Sequence, residues 1–285
     1  MVKTVLLLAD THVGAKTAIL HPDTPGYTFH NVGQEYLWEC WQHMVNQLPK
    51  NIDYLVLLDE MVNGPAGNGR KRFSTQITDV RDQLDAVELL LNMVIWREIP
   101  SGRKVRRCKE VWCLIGTEWH VDELGAATDA LGERLGAEKW KTGRHSGYNL
   151  FLKFDNIILD YAHSQSVVMV NRGMPLEREI RYRLVDNPIP KGMRDAVEIK
   201  GIYRAHAHQS NKYEDRHAES VSVPSWQLPY YDYGVAKRSM ARAVFDIGWA
   251  FTTINPDGLP PLVTHIERYD NPESDIYDTV EGKWH

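Results

Sequence analysis

Val5-Leu6-Leu7-Leu8-Ala9-Asp10-Thr11-His12-Val13-Gly14 decides how this chain is read. Its apolar run lacks polar alternation, which marks a strand covered on both faces, as in a parallel sheet. The run ends in a carboxylate and an imidazole one residue apart, followed by Gly14, where the backbone can turn. In open α/β sheets, ligands bind beyond the carboxyl ends of the strands, where Asp10 and His12 fall. Two such side chains at alternate positions can grip one metal ion. An ion-paired strand-end histidine is the competing reading, so the rest of the chain must supply the missing ligands.

Similar strand ends recur along the chain. Tyr36 to Leu48 reads as a helix with one apolar face. Asp53 to Leu58 reads as a second buried strand closing on Asp59, which completes a right-handed βαβ unit with a parallel strand pair. A Gly-rich turn carrying Arg70-Lys71-Arg72 follows, and these cations are candidates for phosphate or nucleic-acid contacts. From Ser74 a helix is predicted to about Glu98, with Ile77, Val80, Leu84, Val87, Leu91 and Val94 on its core face. Pro100 to Lys109 reads as a charged turn. Val111 to Ile115 is a third strand, ending in Gly116-Thr117-Glu118-Trp119-His120, and Asp122 to Leu135 a helix.

Asn149 to Phe154 and Ile157 to Tyr161 read as an antiparallel pair around Asp155-Asn156, running into Ala162-His163. Pro175 to Leu184 reads as helical. Gly201 to Ala205 leads into His206-Ala207-His208. Strand-like runs follow at 220–223, 242–247, 249–254 and 262–269. No linker splits the chain, so residues 1–270 are expected to form one domain, with 271–285 a polar tail.

Composition adds bounds. The 285 residues are 43% hydrophobic and 25% charged, as in ordinary soluble proteins. A net charge of −5 offers no global attraction to nucleic acid, leaving any such contact to local patches. The three cysteines, Cys40, Cys108 and Cys113, have no zinc-type spacing and read as reduced thiols. With no span-length apolar run and no leader ahead of the first strand, a cytoplasmic location and no membrane partner are expected. The oligomeric state is left open.

Asp10, His12, Asp59, His120, His163, His206 and His208 all stand at strand ends or just beyond them. Carboxylates and imidazoles suit Mn, Fe, Zn or Ni rather than a thiolate-seeking ion, and the set is large enough for two ions. The ordered series Asp-x-His, strand-end Asp, Gly-x-x-x-His, lone His and His-x-His resembles the calcineurin-like metallophosphoesterase family over about residues 4–210. Asp10 to Gly14 also resembles the opening of its DNA-repair nuclease branch.

The resemblance implies an α/β fold: a four-layer α/β/β/α sandwich of two mixed sheets flanked by helices, with a dinuclear metal site at the strand ends. It implies two divalent metal ions, Mn favoured. Asp10, His12 and His208 would hold the first ion, His163 and His206 the second, and Asp59 would bridge them. It further implies phosphate-ester hydrolysis by a hydroxide bridging the ions and attacking in line with the leaving oxygen, with His120 as proton donor. A phosphodiesterase is the first choice, a nuclease within it. A phosphomonoesterase or small-nucleotide hydrolase is the alternative, and a catalytically impaired binding or scaffold protein a third reading.

This chain departs from the family at two motifs. Leu58 and Val62 stand where Gly and a further Asp flank the bridging Asp, with Asn63 one step later as a candidate supporting residue. Thr117 stands where the third motif has Asn, and the histidine is displaced to His120, leaving Thr117 and Glu118 as candidate substitutes near the metals.

Overall fold

A computed structural model describes residues 1–65, 74–117, 125–163, 173–186, 189, 196–229, 245–270, 277–278 and 283–284. In chain order, β1 (Lys3–Leu8) leads through a long loop to α1 (Val32–Gln47) and β2 (Ile52–Leu57). Then come α2 (Val80–Ile95), the short strands β3 (Trp96–Glu98) and β4 (Lys104–Arg106), and β5 (Cys108–Leu114). α3 (Ala126–Leu135), β6 (Ser146–Gly147), β7 (Asn149–Phe154), β8 (Ile157–Ala162) and α4 (Gly173–Asp186) follow. The chain continues with β9 (Glu198–Arg204), β10 (Asn211–Glu214), β11 (Glu219–Ser222), β12 (Ile247–Ile254) and β13 (Leu262–Tyr269). β14 (Tyr277–Asp278) and β15 (Lys283–Trp284) pair with each other in the tail.

Two mixed sheets result. The first has the order β13-β12-β1-β2-β5-β6, in which β1, β2, β5 and β6 run parallel and β12 is antiparallel to both of its neighbours, β1 and β13. The second has the order β10-β11-β9-β8-β7, with β11, β9 and β8 parallel. Strand alternation explains how they stack. Val5 and Leu7 of β1 point to one face and pack with Val56, Leu150, Leu152, Leu159 and Tyr203, which come from both sheets. Leu6 and Leu8 point the other way, into a core shared with Leu37 and Met44 of α1, Leu84 and Leu91 of α2, and Leu131 of α3. On the far side, Ile180 of α4 packs on Ile202 of β9. The expected four-layer sandwich is therefore present, and β1 is buried on both faces because a layer covers each.

Several element boundaries differ from the sequence expectation. α1 begins earlier, at Val32, because the Asn31 side chain caps it by accepting from the Gln34 N–H. α2 begins at Val80 rather than Ser74, capped by Asp79, and its tail Trp96–Glu98 peels off as a strand. The charged turn from Pro100 belongs to the hairpin that β3 forms with β4. No helix among the described residues is long and apolar enough to cross a membrane.

The outer layer is fixed by a buried ion network. Arg204, 1% exposed, donates to Asp160 at 3.0 Å and to Glu179 of α4 at 3.1 Å, while Arg183 of α4 also reaches Asp160 at 2.6 Å. Removing one partner leaves the buried Asp160 incompletely compensated. Arg204→Ala should lower unfolding free energy by about 3–5 kcal/mol, measured by denaturant titration; a change under about 1 kcal/mol would show that α4 docks without this network.

Candidate metal centre

The carboxyl ends of β1, β2, β5, β8 and β9 open toward one place. Just beyond them the backbone enters a region that side chains other than glycine rarely adopt. Asp10 (φ 51°), His12 (43°), Asp59 (73°), Glu60 (54°), His206 (72°) and His208 (53°) are six of the seven non-glycine residues with positive φ among the described residues. Each such conformation costs on the order of 1–3 kcal/mol, and strain of this kind clusters where function imposes a geometry. Hydrogen bonds lock the turns together: the Asp10 N–H donates to the Asp59 carbonyl at 2.9 Å and the His12 N–H to the Glu60 carbonyl at 2.8 Å. The His206 N–H donates to Asp10 Oδ2 at 3.0 Å, tying β9 to β1.

These turns bring together two groups of metal-competent side chains, Asp10, His12, Glu60 and His208, and Glu60, His163 and His206. Within each group the donor atoms lie within 4.8 Å of one another. Glu60 belongs to both. Its Oε2 lies 3.2 Å from His12 Nε2, and its Oε1 lies 3.1 Å from His163 Nε2 and 3.4 Å from His206 Nδ1. His12 Nε2 and His208 Nε2 are 3.0 Å apart, and His163 Nε2 and His206 Nδ1 are 3.2 Å apart. Imidazole nitrogens this close to one another and to a carboxylate could hold a metal ion.

Asp59 is in neither group; among the described residues the acid common to both is Glu60. The Asp59 carboxylate turns away, accepting from the Gly116 N–H and from the Thr128 hydroxyl at 3.0 and 3.1 Å. Glu60 takes the place between the halves. With Glu60 as the shared acid, Leu58 and Val62 are no longer the flanking positions: Asp59 precedes it and Asn63 is three residues after it. That spacing was a signal in the sequence. Asn63 is buried, and its side-chain amide donates to Thr75 Oγ1 at 3.0 Å. The Thr117 hydroxyl donates to Glu60 Oε1, so it touches the shared acid directly. His120, Glu118, Arg70, Lys71 and Arg72 lie outside the described residues.

A metal ion fits the donor set. Asp10 Oδ1 is buried and has no hydrogen-bond partner among the described residues, yet faces His12 Nε2 at 3.8 Å and His208 Nε2 at 3.7 Å. A buried polar atom without a partner is costly unless something else satisfies it. The electrostatics agree. Burial raises the Asp10 carboxyl well above its ordinary range. Burial would also raise Glu60, but hydrogen bonds from His12, His163 and His206 outweigh it and hold that carboxyl well below its usual value. Burial would lower His163, yet the Glu60 hydrogen bond and the Asp10 charge push it up to about 9. Burial and the nearby His12 hold His208 well below the ordinary histidine value. Burial raises Asp59 to about 6.

In the metal-free protein, His163 should therefore be protonated at pH 7.5 and lose its proton near pH 9, whereas His208 should titrate below the ordinary histidine range. Histidine ring NMR titration checks this, and a His163 titrating at or below pH 6.5 would contradict the charge pattern.

No family model and no curated protein matches the chain. Among solved structures it is similar to vacuolar protein sorting 29 from Cryptosporidium parvum at 11% identity, covering 94% of this chain and 98% of that one, with a TM-score of 0.43. It is also similar to a novel archaeal phosphodiesterase at 7% identity, covering 93% and 99%, with a TM-score of 0.41. A third is Entamoeba histolytica Vps29 complexed with zinc, at 12% identity, 94% and 99% coverage, and a TM-score of 0.36. Likenesses this low transfer no ligand, activity or partner to this chain. The two-sheet sandwich, with metal-competent groups at its strand ends, agrees with the α/β/β/α architecture that the sequence resemblance implies.

Proposed function

We propose that this protein is a metal-dependent phosphoesterase, with a phosphodiester as the favoured substrate. The observation that carries the reading is that one carboxylate, Glu60, lies within reach of both ligand groups. Asp10, His12 and His208 with Glu60 would hold one divalent ion, and His163 and His206 with Glu60 a second. Mn is favoured over Fe, Zn or Ni for this oxygen and nitrogen donor set. Such a pair of ions supplies Lewis acidity toward phosphoryl oxygens and lowers the pKa of a coordinated water.

The chain's own residues set the approach and the proton transfer. Asp10, His12, Glu60 and His163 are almost fully buried, whereas the His206 side chain is 46% exposed. A phosphate ester therefore reaches the centre from the His206 side. The leaving oxygen needs a proton, and His120 is the assigned donor, on the segment that begins at Thr117 beside Glu60. Arg70, Lys71 and Arg72 are assigned to substrate phosphates. Both flanks of their segment are tied to the loop after β1, through the Asn63 N–H to the Val13 carbonyl and the Lys16 N–H to the Ser74 carbonyl, each at 2.9 Å. A nuclease is the candidate within this class, since such cations would contact a phosphate backbone without reading bases. We assign the protein to the cytoplasm.

One observation favours a scaffold reading. Thr117 stands in the place of the family's Asn, and its hydroxyl is engaged by Glu60. Hydrolysis decides between the two. With added Mn2+, the protein should cleave bis(p-nitrophenyl) phosphate faster than p-nitrophenyl phosphate. Glu60→Gln should reduce both bound Mn2+ and turnover, by more than the roughly 10–100-fold typical of outer-shell metal partners. Bound Mn2+ with no turnover on either ester or on DNA would make it a scaffold, and faster monoester cleavage a monoesterase. Full Mn2+ retention in Glu60→Gln would remove Glu60 from the centre.

A further inference from the structure

Three stretches of backbone meet at one side chain behind the ligand turns. The turn after β1, the turn after β2 and the residues leading into α2 are laced by main-chain bonds. The Val13 N–H donates to the Met61 carbonyl at 3.0 Å, the Asn63 N–H to the Val13 carbonyl at 2.9 Å, and the Gln76 N–H to the Gly14 carbonyl at 2.7 Å. At their junction lies Gln83, in the first turn of α2 and fully buried. Its Oε1 accepts from the Gly64 N–H at 2.8 Å, and its Nε2 donates to the Gly64 carbonyl at 2.9 Å and to the Ile77 carbonyl at 2.7 Å. Both amide hydrogens are therefore used. Bonding the N–H and the carbonyl of one residue together is what a neighbouring strand does, so the side chain stands in for one.

The backbone is shaped to admit this amide. A Cβ on Gly14, whose φ is 109°, would stand 2.6 Å from Gln83 Cδ. Gly14 thus serves the close approach of Gln83 as well as the turn after His12. On the same helix, Leu84, Val87 and Leu91 are buried in an apolar core, where an amide is costly unless its bonds are all made. Leucine at position 83 would withdraw a partner from three main-chain groups of the buried residues Gly64 and Ile77.

We propose that Gln83 is a positioning residue for the metal centre. It touches none of the candidate ligands. By tying Gly64 to Ile77 and seating against Gly14, it holds the turns that carry His12 and Glu60 in the register that sets His12 Nε2 3.2 Å from Glu60 Oε2. Both of those residues have positive φ, a conformation that persists only where surrounding bonds over-determine it. The consequence for metal rests on the two-ion reading of the centre; the tie between the turns does not.

The test compares Gln83→Leu, which removes all three bonds at similar volume, with Leu91→Ala, which truncates the core face of the same helix two turns away. Hydrogen–deuterium exchange is measured on peptides covering 10–16 and 60–64 in the metal-free protein, and Mn2+ affinity by titration calorimetry. In Gln83→Leu exchange should speed up about tenfold or more, and Mn2+ binding should weaken by roughly 10–100-fold, as for outer-shell metal partners. Leu91→Ala should lower the denaturation midpoint and leave both readouts at wild-type values. Gln83→Glu, which still accepts from Gly64 but donates to neither carbonyl, should move both readouts in the same direction as Gln83→Leu and serves where that variant does not fold. Unchanged Mn2+ affinity in the Gln83 variants, or an equal loss in Leu91→Ala, overturns the positioning role. A wild type that binds no Mn2+ overturns the two-ion reading instead, and exchange then decides the tie: an unchanged rate in the Gln83 variants overturns it. Mn2+ binding without hydrolysis of any ester counts against the phosphoesterase reading and leaves the affinity comparison to decide the role of Gln83.

Discussion

One carboxylate gathered by three imidazoles at the ends of β2, β1, β8 and β9 is the interaction on which the rest of this structure turns. Glu60 is buried, and burial alone would favour its neutral form. His12, His163 and His206 reverse that preference, and each comes from a different strand end. Because two of them stand on the second sheet, the Glu60 cluster crosses the sandwich and fixes how the strand ends of one sheet meet those of the other. The large inter-sheet core around Leu7, Val56, Leu159 and Tyr203 supplies the free energy that keeps such a charged cluster assembled.

The backbone strain has the same origin. Asp10, His12, Asp59, Glu60, His206 and His208 all take left-handed conformations, at about 1–3 kcal/mol each. None of these residue types gains from that conformation locally as glycine would. The turns persist because cross-strand bonds such as Asp10 N–H to Asp59 carbonyl and His206 N–H to Asp10 over-determine them. The geometry points side chains inward from turns, where regular strands would have sent alternate residues to opposite faces.

That same fact explains which parts were legible in the sequence. The buried runs of β1, β2 and β5 and the amphipathic stripe of α2 follow from hydrophobic periodicity, which the structure obeys, whereas the four layers were expected only from the family resemblance. That Asp10, His12, His163, His206 and His208 come together was legible because each stands beyond a strand end. Glu60 was not, because alternation along β2 gives no means of choosing between adjacent acids once the backbone leaves the strand. Two successive left-handed residues turn Asp59 toward Gly116 and Thr128 and leave Glu60 facing the histidines. The hairpin of β3 and β4 was hidden for another reason: its cations read as a solvated turn, and pairing of Trp96–Glu98 with Lys104–Arg106 is a non-local choice.

A crystal grown with Mn2+ and measured at the Mn absorption edge would test the shared acid most directly. Two anomalous peaks about 3.5–4 Å apart, with Glu60 touching both and Asp59 touching neither, is the result predicted. A single peak, or two peaks joined by Asp59 with Glu60 turned away, would contradict it.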